Sequence, residues 1–316
     1  MRGNCWVIIL AGGEGTRIKP LIERCLGSHF PKQYVTFCGN RSMIEHTFDR
    51  AVELVGAKRT VTVIGAGHRE YLEDQDISGP IIEQPVSRGT GAGVYLAVSY
   101  ILAQDPDATV LIFPSDHFIC PQPTFLEQVE SVHRLVQAHP ERFALLGARP
   151  DMAETDYGWI EPGPSLAGQT PINGVAREVL SFHEKPSKED AVKWLSRGYF
   201  WNTMITAATI RLFWMKGKRL LPGYFDHFES FLQRLQSNLK TGMSKTSIQK
   251  LFQSIPAFDF SNTILTQVTR ESVVLPLEEV IWSDWGRPER VFSTLREISR
   301  EPRFLPPERF LLAAER

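Results

Sequence analysis

The chain has 316 residues, 42% hydrophobic and 22% charged, the balance of a globular protein with enough apolar surface for one large core or two modest ones. A formal net charge of −1, with no cluster of Lys and Arg interleaved with aromatics, argues against nucleic acid as a partner. Cys5, Cys25, Cys38 and Cys120 lack CxxC spacing and a nearby His pair, so neither a zinc site nor a disulfide framework is indicated. The apolar run at 6–11 is too short for a signal segment, and no stretch reaches transmembrane length, so a reducing cytoplasm with no membrane contact is expected.

Short apolar runs at 7–10, 61–64, 81–82, 110–113 and 144–146 predict buried strands. Between them, residues 43–55, 91–103 and 125–138 carry apolar side chains three and four apart, as helices packed on a sheet require. This alternation predicts an α/β fold with a doubly wound, mostly parallel sheet. After residue 150 the pattern changes to YGWIEPG, a Gly/Pro-rich stretch at 163–174 and the strand-like VAREVLSFHEKP, which predict a β-rich insertion, about 150–210, covering one end of the sheet. Helices are expected at 225–236, 247–252 and 289–298, with short strands in VVLPL and VIWSDWG. The domain so defined runs over residues 1–300, and 301–316 reads as a Pro-broken tail.

The first strand runs into LAGGEGTR. In an α/β sheet, ligands bind beyond the carboxyl ends of the strands, and the loop after the first strand commonly meets phosphate. Gly12, Gly13 and Gly15 let backbone N–H groups converge and let a ligand approach without a Cβ in the way; Arg17 adds a planar cation and Thr16 a hydroxyl. The dinucleotide fingerprint would need glycine where Ile18 stands, and the P-loop pattern GK[ST] is absent. Standing alone, the loop reads better as a tight turn with a surface arginine.

It is followed by FPKQY, in which Pro31 stiffens the approach to Lys32. The pair LAGGxGTR and PKQ resembles the sugar-1-phosphate nucleotidyltransferases, which join a nucleoside triphosphate to a sugar phosphate. QPVSRGTG at 84–91 resembles that family's segment opening a helix beneath the nucleotide, with Gln84, Arg88 and Thr90 in place and Gly89 where many relatives have asparagine. By itself this segment is a helix N-terminus capped by Thr90, a place that also favours anions. The resemblance implies that Leu10, Gly12, Gly13, Gly15, Thr16, Gln84, Arg88, Gly89 and Thr90 bind nucleotide, with Arg17 and Lys32 along the triphosphate.

Asp116 in FPSDHFI and Asp284 in VIWSDWG each follow an apolar strand-like run. Two carboxylates suffice for Mg²⁺, which leaves its other positions to water and phosphate. Either acid alone is an ordinary loop residue; their two contexts match the family's metal-binding segments, and Asp116-His117 resembles the mannose-1-phosphate guanylyltransferase branch, with His117 packing beside the acid rather than ligating. Asp74-Gln75-Asp76 matches the DxD of metal-dependent glycosyltransferases but lies in the polar run EYLEDQD, outside any strand end, and reads as a solvated helix end.

YGWIE, FHEKP and YFWNTMI resemble the family's sugar-side motifs. The resemblance implies that Gly158, Glu184 and Asn202 hold sugar hydroxyls and Lys185 the sugar phosphate; Thr203-Met204 stands where the family often has Ser-Gly, so a differently shaped pocket floor is expected. The aromatic stripe Trp194, Tyr199, Phe200 and Trp201 reads as core. The implied reaction joins an NTP, here GTP, to mannose 1-phosphate, giving GDP-mannose and pyrophosphate, with Arg17, Lys32, Asp116, Lys185 and Asp284 catalytic and Mg²⁺ as cofactor. Thymidylyl or uridylyl transfer to glucose 1-phosphate, a silent sugar-nucleotide-binding regulator and a glycosyltransferase are the alternatives. The stretch after Trp285 is too short for the left-handed β-helix domain that many relatives append, which leaves a homo-oligomer open.

Overall fold

The segment CWVIILA forms the first strand, β1 (Cys5–Ala11), and its side chains are buried on both faces. That explains the continuous apolar run, since a strand covered on both sides has no polar face to show. The structure, a computed structural model, describes residues 3–166, 175–237 and 243–303. Most of the Gly/Pro-rich stretch, and the expected tail from residue 304 on, lie outside them.

After β1 come α1 (Lys19–Leu26), α2 (Met43–Val55), β2 (Thr60–Ile64), α3 (Arg69–Leu72) and β3 (Ile81–Glu83). They are followed by α4 (Gly89–Gln104), β4 (Thr109–Pro114), β5 (Phe118–Cys120), α5 (Gln122–Ala138) and β6 (Phe143–Ala148). Next are β7 (Gly158–Ser165), β8 (Arg177–Glu184), α6 (Lys188–Ser196), β9 (Phe200–Thr209) and α7 (Ile210–Leu220). The remaining elements are α8 (Phe225–Ser237), α9 (Lys245–Ser254), α10 (Phe260–Thr263), β10 (Ser272–Leu277), β11 (Ile281–Ser283) and α11 (Pro288–Glu297). Helix α2 starts on a capping box, with the Ser42 hydroxyl accepting from the Glu45 N–H while the Glu45 carboxylate accepts from the Ser42 N–H.

Nine strands form one sheet in the order β3-β2-β1-β4-β9-β6-β10-β8-β7. Strands β3, β2, β1 and β4 are mutually parallel, whereas β9 runs antiparallel to both β4 and β6, and β8 to β10. The α/β class therefore holds, but the sheet is mixed rather than mostly parallel. Nor is the expected insertion a cap over one end of the sheet: β7 pairs with β8 on one side and with β9 on the other, closing β9, β6, β10, β8 and β7 into a ring. The reason is burial, because Ile160, Val179, Phe182 and Phe200 of these strands join the same core as α4. That core covers one face of the sheet with α4, α7, α8 and α9; a second, around Val7, Ile9, Ile44, Phe48, Phe125 and Val129, covers the other with α2 and α5. The aromatic stripe is core as expected: Trp201 is buried, and Trp194 stacks on Tyr199 at 5.6 Å.

Strand β9 bulges in the middle. Leu145 of β6 pairs with Thr206, yet Gly147 pairs with Asn202, so a step of two residues on β6 answers a step of four on β9. Gly147, at the edge of the bulge, has no room for a side chain: a Cβ there would lie 2.8 Å from Phe200 Cβ and 2.9 Å from Val274 Cγ2. Gly147→Ala should therefore lower the unfolding free energy by about 1–3 kcal/mol through overpacking, read as a fall in the urea midpoint with unchanged slope.

Candidate active site

Beyond the carboxyl end of β1 lies a cavity of about 320 Å³, walled by Leu10, Gly12, Gly13, Gln84, Thr90, Asp116 and Met204 among others. The glycine loop borders it as expected. At Gly12 a Cβ would lie 2.5 Å from Gln84 Nε2, so a side chain there would displace that amide from its present place; Gly15 has φ +60°, and a Cβ there would meet Lys32 Cβ at 2.8 Å. The loop is pinned by Gln33, whose Nε2 donates to the carbonyls of Ala11 and Gly13, each at 2.9 Å. Gln33 lies inside the PKQ motif but only the fold shows its task. Thr16 and Arg17 are exposed and are not among the residues that line the cavity.

Asp116 and Asp284 meet because of a pairing absent from the sequence expectations. Strands β5 and β11 form a two-stranded antiparallel ribbon in which Phe118 pairs with Ser283. Asp116 shortly precedes the first of these and Asp284 directly follows the second, so both acids leave the ribbon at one end. Trp285, buried and stacked on Phe118 at 4.7 Å, anchors that end in a third core with Phe37, Ile22 and α11.

Lys32, 3% exposed, joins the two acidic segments: its Nζ pairs with Asp116 Oδ2 at 2.7 Å and donates to the main-chain carbonyl of Asp284. Lys32 thus lies beneath the acids rather than along the cavity wall. Asp284 Oδ1 accepts from the Tyr157 hydroxyl (2.6 Å), Arg290 Nη1 (2.7 Å) and the Gly286 N–H (3.0 Å), and Oδ2 meets Arg17 Nη2 at 3.2 Å. Burial is the largest influence and would raise both acids, but it is outweighed by Lys32 and His117 together at Asp116, and by Lys32, Arg290, Tyr157 and the Gly286 N–H together at Asp284, so both carboxyls lie below the usual range. His117 is pushed down to about 4, chiefly by burial. Its neutral ring accepts at Nδ1 from Trp282 Nε1 (3.3 Å) and stands edge-on to that indole, the packing role expected of it.

Sequence reasoning missed the arginine network behind Asp284. Arg290 lies over the Tyr157 ring at 4.4 Å and pairs with Glu154, while Asp156 Oδ2 gathers Arg17 Nη1 (2.9 Å) and Arg287 Nη2 (2.6 Å). No motif marks Arg287 or Arg290; Tyr157 could have been found in YGWIE.

Gly89 and Thr90 line the cavity, but the start of α4 is crossed by the segment 255–261. The Phe258 N–H donates to Arg88 O (3.0 Å) and Phe258 O accepts from the Gly91 N–H (3.1 Å). Gly89, at φ +79°, has no room for a Cβ, which would fall 2.3 Å from Phe258 O. Here is a reason for glycine in place of asparagine. Thr90 is not the cap: Arg88 holds that position, and the Thr90 hydroxyl donates to Asp259 Oδ2 (2.8 Å) and accepts from the Phe260 N–H (2.9 Å). Arg88 Nε donates to Phe252 O at 3.1 Å and the residue does not line the cavity.

On the other side, Gly158, Glu184 and Asn202 converge, since a Cβ on Gly158 would lie 2.6 Å from Glu184 Oε2 and 3.2 Å from Asn202 Cβ. Lys185, exposed and at φ +49°, is held by its backbone N–H on Tyr157 O. Burial, helped by the charge of Asp259 and opposed by Lys185, pushes Glu184 up to about 7. Asp76 of the DxD pairs with Arg41 at 3.2 Å and is largely exposed, outside the cavity.

Two ionised carboxylates are hard oxygen donors of the kind Mg²⁺ accepts, and it needs no more than two from a protein. Among the described residues no group of three or more His, Cys, Asp or Glu is arranged to hold a metal.

Residues 6–301 match the Nucleotidyl transferase family, and the chain belongs to it. It is 33% identical over 202 residues to a mannose-1-phosphate guanylyltransferase of Salmonella montevideo, covering 62% of this chain and 41% of that protein. It is 27% identical over 306 residues to the enzyme of that name from Escherichia coli strain K12, covering 94% and 60%. The chain thus spans about half the length of these curated relatives. A Thermus thermophilus structure described as a mannose-1-phosphate geranyltransferase superposes with a TM-score of 0.76 at 22% identity, over 92% of this chain and 80% of that one, which shows a shared fold. No helix among the described residues is long and apolar enough to cross a membrane.

The raised Glu184 has a thermodynamic consequence. A carboxyl held at about 7 in the folded state but at its ordinary 4.5 when unfolded favours folding fully below pH 4.5, and that contribution is lost as pH rises through 7. Relative to Glu184→Gln, the native protein should therefore lose roughly 3 kcal/mol of stability between these limits, at about 1.4 kcal/mol per unit; paired urea titrations at pH 4.5 and pH 8 measure it.

Proposed function

We propose that this protein transfers a guanylyl group from GTP to mannose 1-phosphate, releasing pyrophosphate. The observation that carries the reading is that Lys32 joins Asp116, which lines the glycine-walled cavity, to the main chain of Asp284. The sugar phosphate is already an anion near neutral pH, so the reaction needs little base. A phosphate oxygen of the sugar attacks the α-phosphorus, the new P–O bond forms, and the bond to the bridging oxygen of the β-phosphate breaks.

Charge is the obstacle, and the chain's residues answer it. Lys32 keeps Asp116 ionised and fixed. Arg17, half exposed, exchanges Asp156 and Asp284 for the incoming triphosphate. Lys185 holds the nucleophilic phosphate, and Gly158, Glu184 and Asn202 the sugar. Mg²⁺ held by Asp116 and Asp284 supplies screening of the crowded phosphate oxygens. For the base, Gln84 lines the cavity: it is buried and its Oε1 has no partner, so the N1–H or amine of a guanine that reached it would satisfy that acceptor. Glu83, the other acceptor at this point in the chain, is spent on the Gly67 N–H and Arg69. Such a metabolic role fits a protein acting on small molecules in the cytoplasm.

Pyrophosphate release, measured with GTP, UTP and dTTP each paired with mannose 1-phosphate or glucose 1-phosphate, should be fastest for GTP with mannose 1-phosphate. Preference for UTP or dTTP with glucose 1-phosphate overturns the substrate assignment, and binding without pyrophosphate in every pair makes the protein a silent binder. Asp116→Ala and Lys185→Ala should each lower kcat/KM by a hundredfold or more, about 3 kcal/mol per preorganised charge; unimpaired turnover in either removes that residue from the site.

A further inference from the structure

Met204 is the apex of the bulge in β9, in the stretch between Asn202 and Thr206 that has no pairing partner on β6. Its φ of +61° lies in the left-handed region, where a side chain costs about 1 kcal/mol or more and is retained when its surroundings hold it there. They do so at three points. The Met204 N–H donates to Asn202 Oδ1 at 3.0 Å, and the Ser261 hydroxyl donates to Met204 Sδ at 2.9 Å. The bulge itself is tied down by Thr203, whose hydroxyl donates to Leu146 O at 2.6 Å and accepts from the Ile205 N–H. A long flexible side chain is thereby fixed on a strained backbone and made part of the cavity wall.

Its place in that wall decides what it can do. Asn202, on the same strand two residues earlier, belongs to the Gly158 and Glu184 cluster, while Met204 shares the cavity with Asp116, Gly12 and Gln84. The thioether therefore stands where the two clusters adjoin. On the reading above, which this inference rests on, that is where the anomeric phosphate of the sugar reaches the nucleotide, and the first substituent beyond the anomeric carbon is the one at C2.

We propose that Met204, clamped by Ser261, is a specificity-determining residue that limits the C2 substituent of the sugar 1-phosphate to a hydroxyl and shuts out 2-acetamido sugars. An acetamido group is several times the volume of the hydroxyl it replaces, and a wall whose side chain cannot swing away rejects it sterically. Glycine at this position removes the wall and adopts the same backbone freely.

The test compares kcat/KM for mannose 1-phosphate and for 2-acetamido-2-deoxymannose 1-phosphate, with GTP and Mg²⁺, in the native protein, Met204→Gly and Met204→Ala. The ratio of the acetamido to the hydroxy substrate should rise roughly tenfold or more in both variants. Ser261→Ala, which frees the thioether without removing it, should raise the ratio by less. An unchanged ratio in variants that still turn over the hydroxy substrate overturns the proposal. If the native protein releases no pyrophosphate from mannose 1-phosphate with any nucleotide, the underlying reading fails instead, and the proposal falls with it.

Discussion

The site depends on one buried ammonium. Lys32 sits at 3% exposure between Asp116 and the main chain of Asp284, and a lysine so deeply placed is tolerable only because its charge is paired and its donors are used. Removing Asp116 would leave Lys32 as an uncompensated buried charge, whereas Asp116 itself is about one third exposed. Everything around it is arranged to keep the geometry: Gly15 gives Lys32 the room its Cβ needs, and Gln33, the next residue, holds the loop above it. The glycine loop and the acids are thus one unit, although they come from three widely separated parts of the chain.

Around this unit the charges are already balanced. Asp284 has a tyrosine hydroxyl, two arginines and a backbone N–H for partners, and Asp156 gathers Arg17 and Arg287. The pairs differ in exposure: Arg290 and Glu154 are nearly buried, whereas Arg17 is about half exposed. Pairs of the second kind contribute little to stability and are readily exchanged. The buried contacts therefore orient Asp284, and the half-exposed Arg17 and Arg287 are the cations that can change partners at small cost.

Two departures from the family pattern, Gly89 and Met204, touch the same segment. Phe258 O occupies the space a Cβ on Gly89 would need, and Ser261 grips the Met204 sulfur. Asp259, between them, binds Thr90 and adds to the field that raises Glu184. Residues remote in sequence have been fitted to one another across the cavity, which is why the substitutions are compatible with a well-packed site.

Much of this was legible from the linear chain. The buried strands β1, β2 and β4 were readable because a strand covered on both faces must be continuously apolar, and α2 and α5 because an amphipathic helix must repeat its apolar residues every three or four. The glycine loop, Asp116 and Asp284 stood out through their motif contexts, since taken singly each reads as an ordinary turn or loop residue. What tertiary structure alone decided was pairing. That β9 runs antiparallel between β4 and β6, that β7 closes a ring with it, and that β5 and β11 form the ribbon bringing the acids together follow from long-range burial, which leaves no local signature in runs as short as FIC or IWS. The same holds for Arg290, an unremarked helical residue until Asp284 arrives beside it, and for Thr90, whose hydroxyl serves Asp259 instead of its own helix. Sequence specifies the chemistry each segment can offer; the partner each group meets is set by which apolar faces can be buried together.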